Sequence, residues 1–277
     1  MRQVTREQVV SALKAVGIGA GDGLLAHSAL QFLGAPAGGV SLYYEALSAV
    51  LAGISASRDP LGDFQALPPN SQRLMGTLAA PTFNFAFARG EPYDPLATPS
   101  AGMGALSEYV RQLPAARRTS HPMQSLTVLG RHAVDLCERD TPSAFDPGSA
   151  FERLLELDFK LLLLGADIQA VSMLHYSEQR FQVPYRYWKD FTGSIRTPDG
   201  WQERTYRMFV RDLDLDPKIE LYPVQRMLEE RGQWHSIALN YGRIACCQLV
   251  DFVTVLDEFL ASDPWSLVTN PPHRPHG

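Results

Sequence analysis

The chain has 277 residues, enough for one large domain or two small ones. Hydrophobic residues make up 45% of it and charged residues 20%, a composition that supplies a buried core and excludes a disordered chain, a collagen and a small disulfide scaffold. The 25 lysines and arginines against 30 aspartates and glutamates give a net charge of −5. This balance argues against a nucleic-acid partner, because proteins that bind a phosphate backbone usually carry a basic excess.

No apolar stretch approaches the roughly 20 residues that a membrane span needs. The first residues lead directly into a charged amphipathic pattern, so we expect neither a signal peptide nor a membrane anchor. The three cysteines, Cys137, Cys246 and Cys247, form no CxxC pair, and an odd number of them fits reduced thiols packed in a core. These features predict a cytoplasmic protein.

Helix and strand patterns alternate through the first two thirds of the chain. Thr5 to Gln8 has the form of a capping box and predicts a helix, and Leu24 to Ala26 predicts a buried strand that ends at His27-Ser28. Residues 55–75 lack periodicity and predict an exposed insertion. Further helices are predicted at Ser41 to Gly53, at Ala105 to Leu113, after a capping box at Ser149 to Glu152, and at Met173 to Phe181 with Ser172 as cap, and further strands at Thr77 to Phe83, Gln124 to Leu129 and Lys160 to Leu164.

The pattern changes after about residue 185. Two strand-like runs flank Thr197-Pro198-Asp199-Gly200 and predict a hairpin. A helix at Pro223 to Arg231, strands at about 234–239 and 243–248, and a closing helix at Val250 to Leu260 follow. Together the elements predict one α/β domain of mixed α+β type over residues 1–265. Its central mixed sheet is flanked by helices, its C-terminal half is more antiparallel, and residues 266–277 form a frayed tail.

The glycine-rich stretch Gly17 to Gly23 does not predict a dinucleotide site. The sixth position of the fingerprint is Asp22, and the stretch precedes a strand, whereas the fingerprint requires the strand first and the helix afterwards. A turn from helix to strand explains it.

The strand end at His27-Ser28-Ala29-Leu30 is a candidate ligand site. A strand that stops at small polar residues leaves backbone N–H groups at the carboxyl edge of the sheet, where α/β proteins bind ligands and where such donors suit a pyrophosphate. A loop in which His27 and Ser28 form only local hydrogen bonds explains the pattern equally well.

His175 and Glu178 are spaced to share one helical face. With Ser172 as the N-cap, His175 would lie in the first turn, where the positive end of the helix favours a neutral imidazole able to abstract a proton. Two alternatives stay open at this point: a surface hydrogen bond, or half of a metal site whose other ligands are not recognisable.

A third candidate segment is His121-Pro122 with Ser125, preceded by Arg117-Arg118. Proline after the histidine fixes an extended approach, and the arginines would suit phosphates, although a solvated basic loop is an equally good reading. There is no G-x-S-x-G nucleophile elbow, so no Ser-His-Asp triad is assembled.

Several short segments together carry a family resemblance. They are His27 to Leu30, Gly76 to Phe83, Tyr93 to Pro95, Thr98 to Ser100, Met103 to Glu108, Arg118 to Pro122 with Ser125, Leu162 to Gly165, Leu174 to Glu178, and Val183 to Arg186. In this order, from about residue 5 to 260, the chain resembles the aminoglycoside 3-N-acetyltransferase family, whose antibiotic N-acetyltransferase fold is distinct from that of the GNAT superfamily.

The resemblance implies an N-acetyltransferase that uses acetyl-CoA as co-substrate, needs no metal, and transfers the acetyl group directly to a primary amine. His175 would be the general base, and Glu178 would orient its ring or hold the ammonium of the substrate. The coenzyme would contact His27, Ser28, Ala29, Leu30, Ser100, Arg118, His121 and Ser125. Glu108 and Tyr176 are the further substrate-binding candidates.

The acceptor implied by the resemblance is an amino sugar, an aminoglycoside or a related small molecule, and its use is antibiotic resistance or biosynthesis. Ala29 stands where the family usually has a second serine, and Ser177 where its H-x-A-E motif has alanine. Two other functions remain as alternatives: a hydrolase of a thioester or amide that uses the same His/Glu pair, and a non-catalytic module that binds CoA or a sugar. The oligomeric state is left open, with a homodimer as one alternative.

Overall fold

The computed structural model describes residues 2–36, 38–53 and 75–272. Nearly all of the insertion predicted at residues 55–75, and residues 273–277 of the predicted tail, lie outside these ranges. The strands are β1 (Gln3–Val4), β2 (Gly23–Ser28), β3 (Ala35–Pro36), β4 (Thr77–Pro81), β5 (Arg117–Arg118), β6 (Leu126–Gly130), β7 (Lys160–Leu164), β8 (Arg186–Thr197), β9 (Gly200–Arg211), β10 (His235–Leu239) and β11 (Gly242–Gln248). The helices are α1 (Arg6–Ala15), α2 (Ser41–Leu51), α3 (Ala105–Arg111), α4 (Ala133–Cys137), α5 (Ala150–Glu156), α6 (Leu174–Arg180), α7 (Tyr222–Glu230) and α8 (Leu249–Ser262).

The first helix begins where the capping box predicts. The Thr5 hydroxyl accepts the backbone N–H of Gln8, and the Gln8 side chain accepts the backbone N–H of Thr5 at 2.9 Å. These two bonds satisfy donors that a free helix end leaves exposed. The buried face of α1 carries Val9 and Leu13, as their spacing predicts.

A seven-stranded sheet in the order β10-β11-β7-β2-β4-β6-β5 forms the centre of the described residues. β2 is parallel to both β4 and β7, and the remaining neighbours are antiparallel. Successive side chains of β7 alternate between two hydrophobic clusters, with Leu161 and Leu163 on one face and Leu162 and Leu164 on the other. This strand is therefore buried on both faces, and the predicted mixed α/β fold with a more antiparallel C-terminal half is confirmed.

The hairpin of β8 and β9 forms a separate two-stranded ribbon. Its turn lies at Pro198-Asp199, between Thr197 and Gly200, as the sequence predicts. Ile195 and Tyr206 on one face of the ribbon are buried with Phe87, Tyr93 and Met123. The ribbon is thus packed against the rest of the protein on one face. Its first strand, β8, begins shortly after the end of α6.

Two predictions are wrong, one about the start of α6 and one about the C-terminal tail. Ser172 does not cap α6: the N-cap is Met173, with no side-chain bond, and the Ser172 hydroxyl lies against His27 instead. The start of the predicted tail is not frayed, because Leu267 and Val268 are buried and Glu220 N–H donates to Leu267 O at 2.8 Å. Among the described residues, no helix has both the length and the apolarity to cross a membrane.

Candidate active site

The end of β2 is joined to the segment before α6 through His27. The His27 Nε2 atom accepts the backbone N–H of Ser172 at 3.0 Å, and the Ser172 hydroxyl lies 3.0 Å from the same nitrogen. Burial lowers the pKa of His27 to about 4, so the ring is neutral at pH 7. Since Nε2 is an acceptor, the proton is on Nδ1, which is buried and has no hydrogen-bond partner among the described residues.

The other residues of this strand end divide into paired and unpaired groups. The Ser28 hydroxyl is buried without a partner in the described part of the chain. The Ala29 N–H, by contrast, donates to Leu164 O at 2.9 Å, so the expectation of free backbone donors is wrong at Ala29. Leu30 begins a short 3-10 helix that ends at Phe32. Among the described residues, the buried side-chain atoms of this edge without a partner are thus His27 Nδ1 and Ser28 Oγ.

His175 and Glu178 are in contact, as their helical spacing predicts. His175 Nδ1 lies 2.8 Å from Glu178 Oε2, and Arg186 Nη2 lies 2.8 Å from the same oxygen. The Glu178 side chain is fully buried, whereas 33% of the His175 side chain is exposed. Phe145 packs edge-on against the imidazole, with ring centroids 5.9 Å apart.

The charge on Glu178 settles the proton positions of this pair. Burial raises the pKa of the Glu178 carboxyl, but the hydrogen bond from His175 and the charge of Arg186 outweigh it, so that the pKa is lowered. An ionised carboxylate only accepts hydrogen bonds, so His175 Nδ1 carries a proton and donates it. When Nε2 carries no proton, its lone pair is the one that can accept a proton from a substrate.

Glu108 and Ser100 hold a loop against the start of α3. Glu108 Oε2 accepts both the backbone N–H and the hydroxyl of Ser100, each at 2.9 Å. Arg111 forms a bidentate pair with the same carboxylate, at 2.9 and 2.6 Å, and lowers the pKa of Glu108 to about 2, with help from Ser100 and Gln112. Because its oxygens already accept these donors, Glu108 acts as a brace for the loop and not as a free acceptor for an amine.

Arg118, Ser125 and His121 are likewise engaged inside the protein. Arg118 donates to Ser125 Oγ at 2.9 Å and to the carbonyl oxygens of Thr82 and Thr98. His121 is buried, its Nδ1 accepts the N–H of Gln124 at 3.0 Å, and burial lowers its pKa to about 4. The proton of the neutral His121 ring is then on Nε2, which lies 3.4 Å from the carbonyl oxygen of Arg207. The donors of Arg118 and His121 are thus directed to groups of the protein itself.

Tyr176 contacts residues of α5 and α6. Its ring is buried, its hydroxyl lies 3.4 Å from Glu152 Oε1, and the Arg180 guanidinium stacks over it at 5.2 Å from the ring centroid. These contacts place Tyr176 between α6 and α5.

The structure nevertheless brings the strand end at His27-Ser28 close to the segment that carries His175. Ser172 contacts His27 through its N–H and hydroxyl, and its carbonyl accepts the N–H of His175 at 3.1 Å. On the other side of the strand end, Gly104 lies so close to Ser28 that a Cβ atom there would be 2.8 Å from the Ser28 carbonyl oxygen. A line of adjacent groups thus runs along the carboxyl edge of the sheet, from the loop before α3 to the imidazole of His175.

Arg186 is the functional-site residue that sequence reasoning missed. It is eight positions after Glu178 and beyond the end of α6, so helical spacing does not pair them. Gln182, with a positive φ of 46°, turns the chain back after the helix and lets β8 begin beside α6. No local pattern in the sequence predicts the contact between Arg186 and Glu178.

The sequence profile of a family described as aminoglycoside 3-N-acetyltransferase matches residues 25–261. Aminoglycoside N(3)-acetyltransferase III of Salmonella sp is 30% identical over 203 residues, which cover 71% of this chain and 68% of the relative. The chain belongs to the aminoglycoside 3-N-acetyltransferase family. It is therefore an acyltransferase, and the family predicted from the sequence is confirmed.

Two further aminoglycoside acetyltransferases extend the comparison over almost the whole chain. Aminoglycoside N(3)-acetyltransferase VIII of Streptomyces fradiae is 28% identical over 272 residues, covering 94% of this chain and 82% of the relative. The solved structure of AAC-IIIb in a binary complex with CoASH superposes with a TM-score of 0.74 at 19% identity, covering 99% of this chain and 100% of that one. This superposition shows that the fold is shared.

Possible metal ligands and the cleft beside β5 complete the description of the site. Among the described residues, no group of three or more His, Cys, Asp and Glu side chains is arranged to hold a metal ion. A cleft of about 1010 Å³ runs beside the edge strand β5, and of the predicted site residues only Arg118 lines it. The cleft is therefore separate from His175.

Proposed function

We propose that this acyltransferase moves the acetyl group of acetyl-CoA directly to a primary amine of an amino sugar, an aminoglycoside or a related small molecule, with His175 as general base. The observation that carries the proposal is the state of the imidazole. Nδ1 is fixed on a buried carboxylate at 2.8 Å, while a third of the side chain is exposed and its Nε2 lone pair is available. The Salmonella and Streptomyces relatives, named as aminoglycoside N(3)-acetyltransferases, support the acceptor class.

Bound acetyl-CoA would supply the activated acyl carbon and the leaving thiol. His175 Nε2 takes one proton from the amine as its nitrogen forms the C–N bond to that carbon. The C–S bond breaks, and the imidazolium returns the proton to the departing sulfur, which leaves as the CoA thiol. The ring is then neutral again, and the amide and the thiol are the only products. General-base assistance of this kind typically contributes about 10²- to 10⁴-fold in rate.

The coenzyme candidates of the strand end fit this proposal in part. The Nδ1–H of His27 and the hydroxyl of Ser28 are buried polar groups without partners among the described residues, and such groups cost free energy unless something pairs with them. We propose that the pantetheine arm or the phosphates of the coenzyme pair with these two groups. Ser100, Arg118 and Ser125 would act by holding the neighbouring loops, since their own side chains are already engaged.

Glu178 has one of its two expected roles in this proposal. Its side chain is fully buried behind the imidazole, so it orients His175 and fixes its tautomer and does not reach an ammonium group of the acceptor. The free cysteines Cys137, Cys246 and Cys247 support a reducing compartment, and we place the activity in the cytoplasm.

Thiol release from acetyl-CoA tests the proposal. The assay uses a panel of aminoglycosides, simple amino sugars and neutral sugars, with a reaction lacking any acceptor as control. Release that depends on an amine, together with an acetylated product in the mass spectrum, supports transfer. Release without an amine supports the hydrolase. No release with any compound, but a rise in melting temperature with CoA, supports the non-catalytic module.

A further inference from the structure

Arg186 reaches the candidate catalytic pair from outside the helix that carries it. Its Nη2 atom lies 2.8 Å from Glu178 Oε2, and its Nη1 atom donates to the carbonyl oxygen of Phe209 at 3.2 Å. Its side chain is only 11% exposed. One guanidinium therefore joins the helix α6 to strand β9, and it does so at the oxygen that also accepts the imidazole proton.

The three groups are arranged so that two donors converge on one acceptor. Arg186 Nη2 lies 3.3 Å from His175 Nδ1. His175 Nδ1 has a single site, so it either donates to Glu178 Oε2 or accepts from Arg186. The contact with the ionised carboxylate is the shorter one, at 2.8 Å, so we assign the Nδ1 proton to it and interpret the 3.3 Å separation as a close approach of two donors. A proton added to His175 would therefore place a second positive charge 3.3 Å from the guanidinium.

A buried carboxylate alone would work against a general base. A negative charge beside Nδ1 favours the imidazolium form, and an imidazolium has no lone pair to accept a proton. The charge of Arg186 offsets that of Glu178, since like charges disfavour protonation of a neighbouring group. The imidazole then gains the orientation that the carboxylate provides without the full increase in basicity.

We propose that Arg186 is a positioning residue that keeps the imidazole of His175 neutral, and so able to accept a proton, near pH 7. The inference rests on the proposed role of His175 as base. A guanidinium suits this place better than an ammonium, because its fork can bond Glu178 and the Phe209 carbonyl at once. Arg186 touches neither substrate in this account and acts through Glu178.

Other charged or titratable groups stand on the elements around His175. Asp146 follows Phe145 and accepts the Gln179 amide at 2.8 Å. Arg207 of β9 is paired with Asp190 of β8, at 3.0 Å. Further groups are Tyr185, whose pKa is raised by burial and by the charge of Glu178, and the neutral His27 behind Ser172. Tyr176 and Arg180 of α6 and Glu152 of α5 contact one another. All of them remain in place when Arg186 alone is replaced, so a change in the titration of His175 reports on the guanidinium.

Titration of the His175 ring by NMR tests the inference without any assay of activity. The imidazole carbon–hydrogen signals are followed from pH 5 to pH 9, and the His175 signal is assigned by its loss in His175→Asn. We expect the titration midpoint to rise by about one pH unit or more in Arg186→Gln, because the amide keeps a hydrogen bond to Glu178 but removes the charge. Arg186→Lys keeps the charge and should leave the midpoint near that of the parent protein. An unchanged midpoint in a folded Arg186→Gln protein would overturn the inference.

The rate profile provides the second readout. In Arg186→Gln the acidic limb of kcat/KM for the best acceptor should move to higher pH by the same amount, with a rate at pH 7 about tenfold below the parent and recovery above pH 8. The control is Arg204→Gln, which removes an exposed arginine of the same ribbon that pairs with Asp140 at 3.2 Å. A loss that is equal at every pH contradicts the inference and assigns Arg186 a purely structural role. If the parent shows no transfer at all, the proposed function fails, while the NMR midpoints still decide on Arg186.

Discussion

His27 and Ser172 are joined across 145 positions of sequence by a hydrogen bond of 3.0 Å, in which the backbone N–H of Ser172 donates to the imidazole Nε2. This bond fixes the segment before α6 to the carboxyl edge of the sheet. It also requires an unprotonated Nε2, so the contact depends on the neutral form of a histidine that is almost completely buried.

The neutral histidines predict a loss of stability in mild acid. Burial lowers the pKa of both His27 and His121 from 6.5 to about 4. Between these values the unfolded chain binds protons that the folded chain does not, so the free energy of unfolding falls as the pH drops below 6.5. At pH 5 we expect a loss of about 2 kcal/mol for each histidine relative to pH 7, measured by urea unfolding.

The variant His121→Gln provides the control for this pH effect. Its amide oxygen can accept the Gln124 N–H that His121 Nδ1 accepts at 3.0 Å, but it does not titrate. The difference in free energy of unfolding between pH 7 and pH 5 should shrink by about half. A variant with the same pH dependence as the parent would show that His121 does not contribute.

Replacement of Gly104 should both strain the backbone and displace Ser28 at the end of β2. It has a φ of +86°, and a Cβ atom there would lie 2.8 Å from the Ser28 carbonyl oxygen. Gly104→Ala should therefore cost about 1–3 kcal/mol through backbone strain alone, and more through the contact. Under the proposed function, displacement of Ser28 should also raise the KM for acetyl-CoA.

A glycine with a similar φ but a different ψ provides a control. Gly104 has a ψ of 164°, whereas Gly90 has a ψ of 7° and lies in the left-handed helical region, which a non-glycine residue enters more readily. Gly90 has a φ of +87°, and nothing lies within 4 Å of a Cβ atom there. Gly90→Ala should therefore show a smaller backbone cost than Gly104→Ala, and no change in the KM for acetyl-CoA. Equal kinetic effects of the two substitutions would argue against a role of the Ser28 segment in coenzyme binding.

Most of the longer helices and strands were predictable because each has a local cause, whereas the two-residue strands and the short helix Ala133–Cys137 were not predicted. The capping box at Thr5 starts α1, the apolar run ending at Leu164 forms a strand buried on both faces, and the Pro198-Asp199 turn joins β8 to β9. The contact between His175 and Glu178 was predictable for the same reason, since helical spacing places them on one face.

The use of the polar side chains was much less predictable. Arg118 is occupied by Thr82, Thr98 and Ser125, whose positions depend on how distant loops meet at the sheet edge. Ser172 has the residue type of an N-cap, yet its hydroxyl lies 3.0 Å from His27, and the helix begins one residue later. Such long-range contacts override a local preference because they satisfy buried groups, and a single sequence does not show them.

The capping box of α1 should contribute measurably to the free energy of unfolding. Thr5→Ala removes the hydroxyl that accepts the Gln8 N–H, and should lower the free energy of unfolding by about 1 kcal/mol in urea. Thr5→Ser keeps the hydroxyl and should leave the free energy nearly unchanged. Comparable losses in both variants would indicate that packing of the threonine methyl group, and not the cap, is responsible.

His175 and Glu178 should respond in opposite ways to substitution. His175→Asn removes the proposed base, and amine-dependent kcat/KM should fall by about 10²- to 10⁴-fold. Glu178 still pairs with Arg186 at 2.8 Å in that variant, so the melting temperature and its rise with CoA should remain. Glu178→Gln instead leaves a nearly buried guanidinium without its counter-charge, and should destabilise the fold by about 3–5 kcal/mol. Thermal unfolding and the thiol-release assay distinguish the two, and full activity in His175→Asn would remove the imidazole from the mechanism.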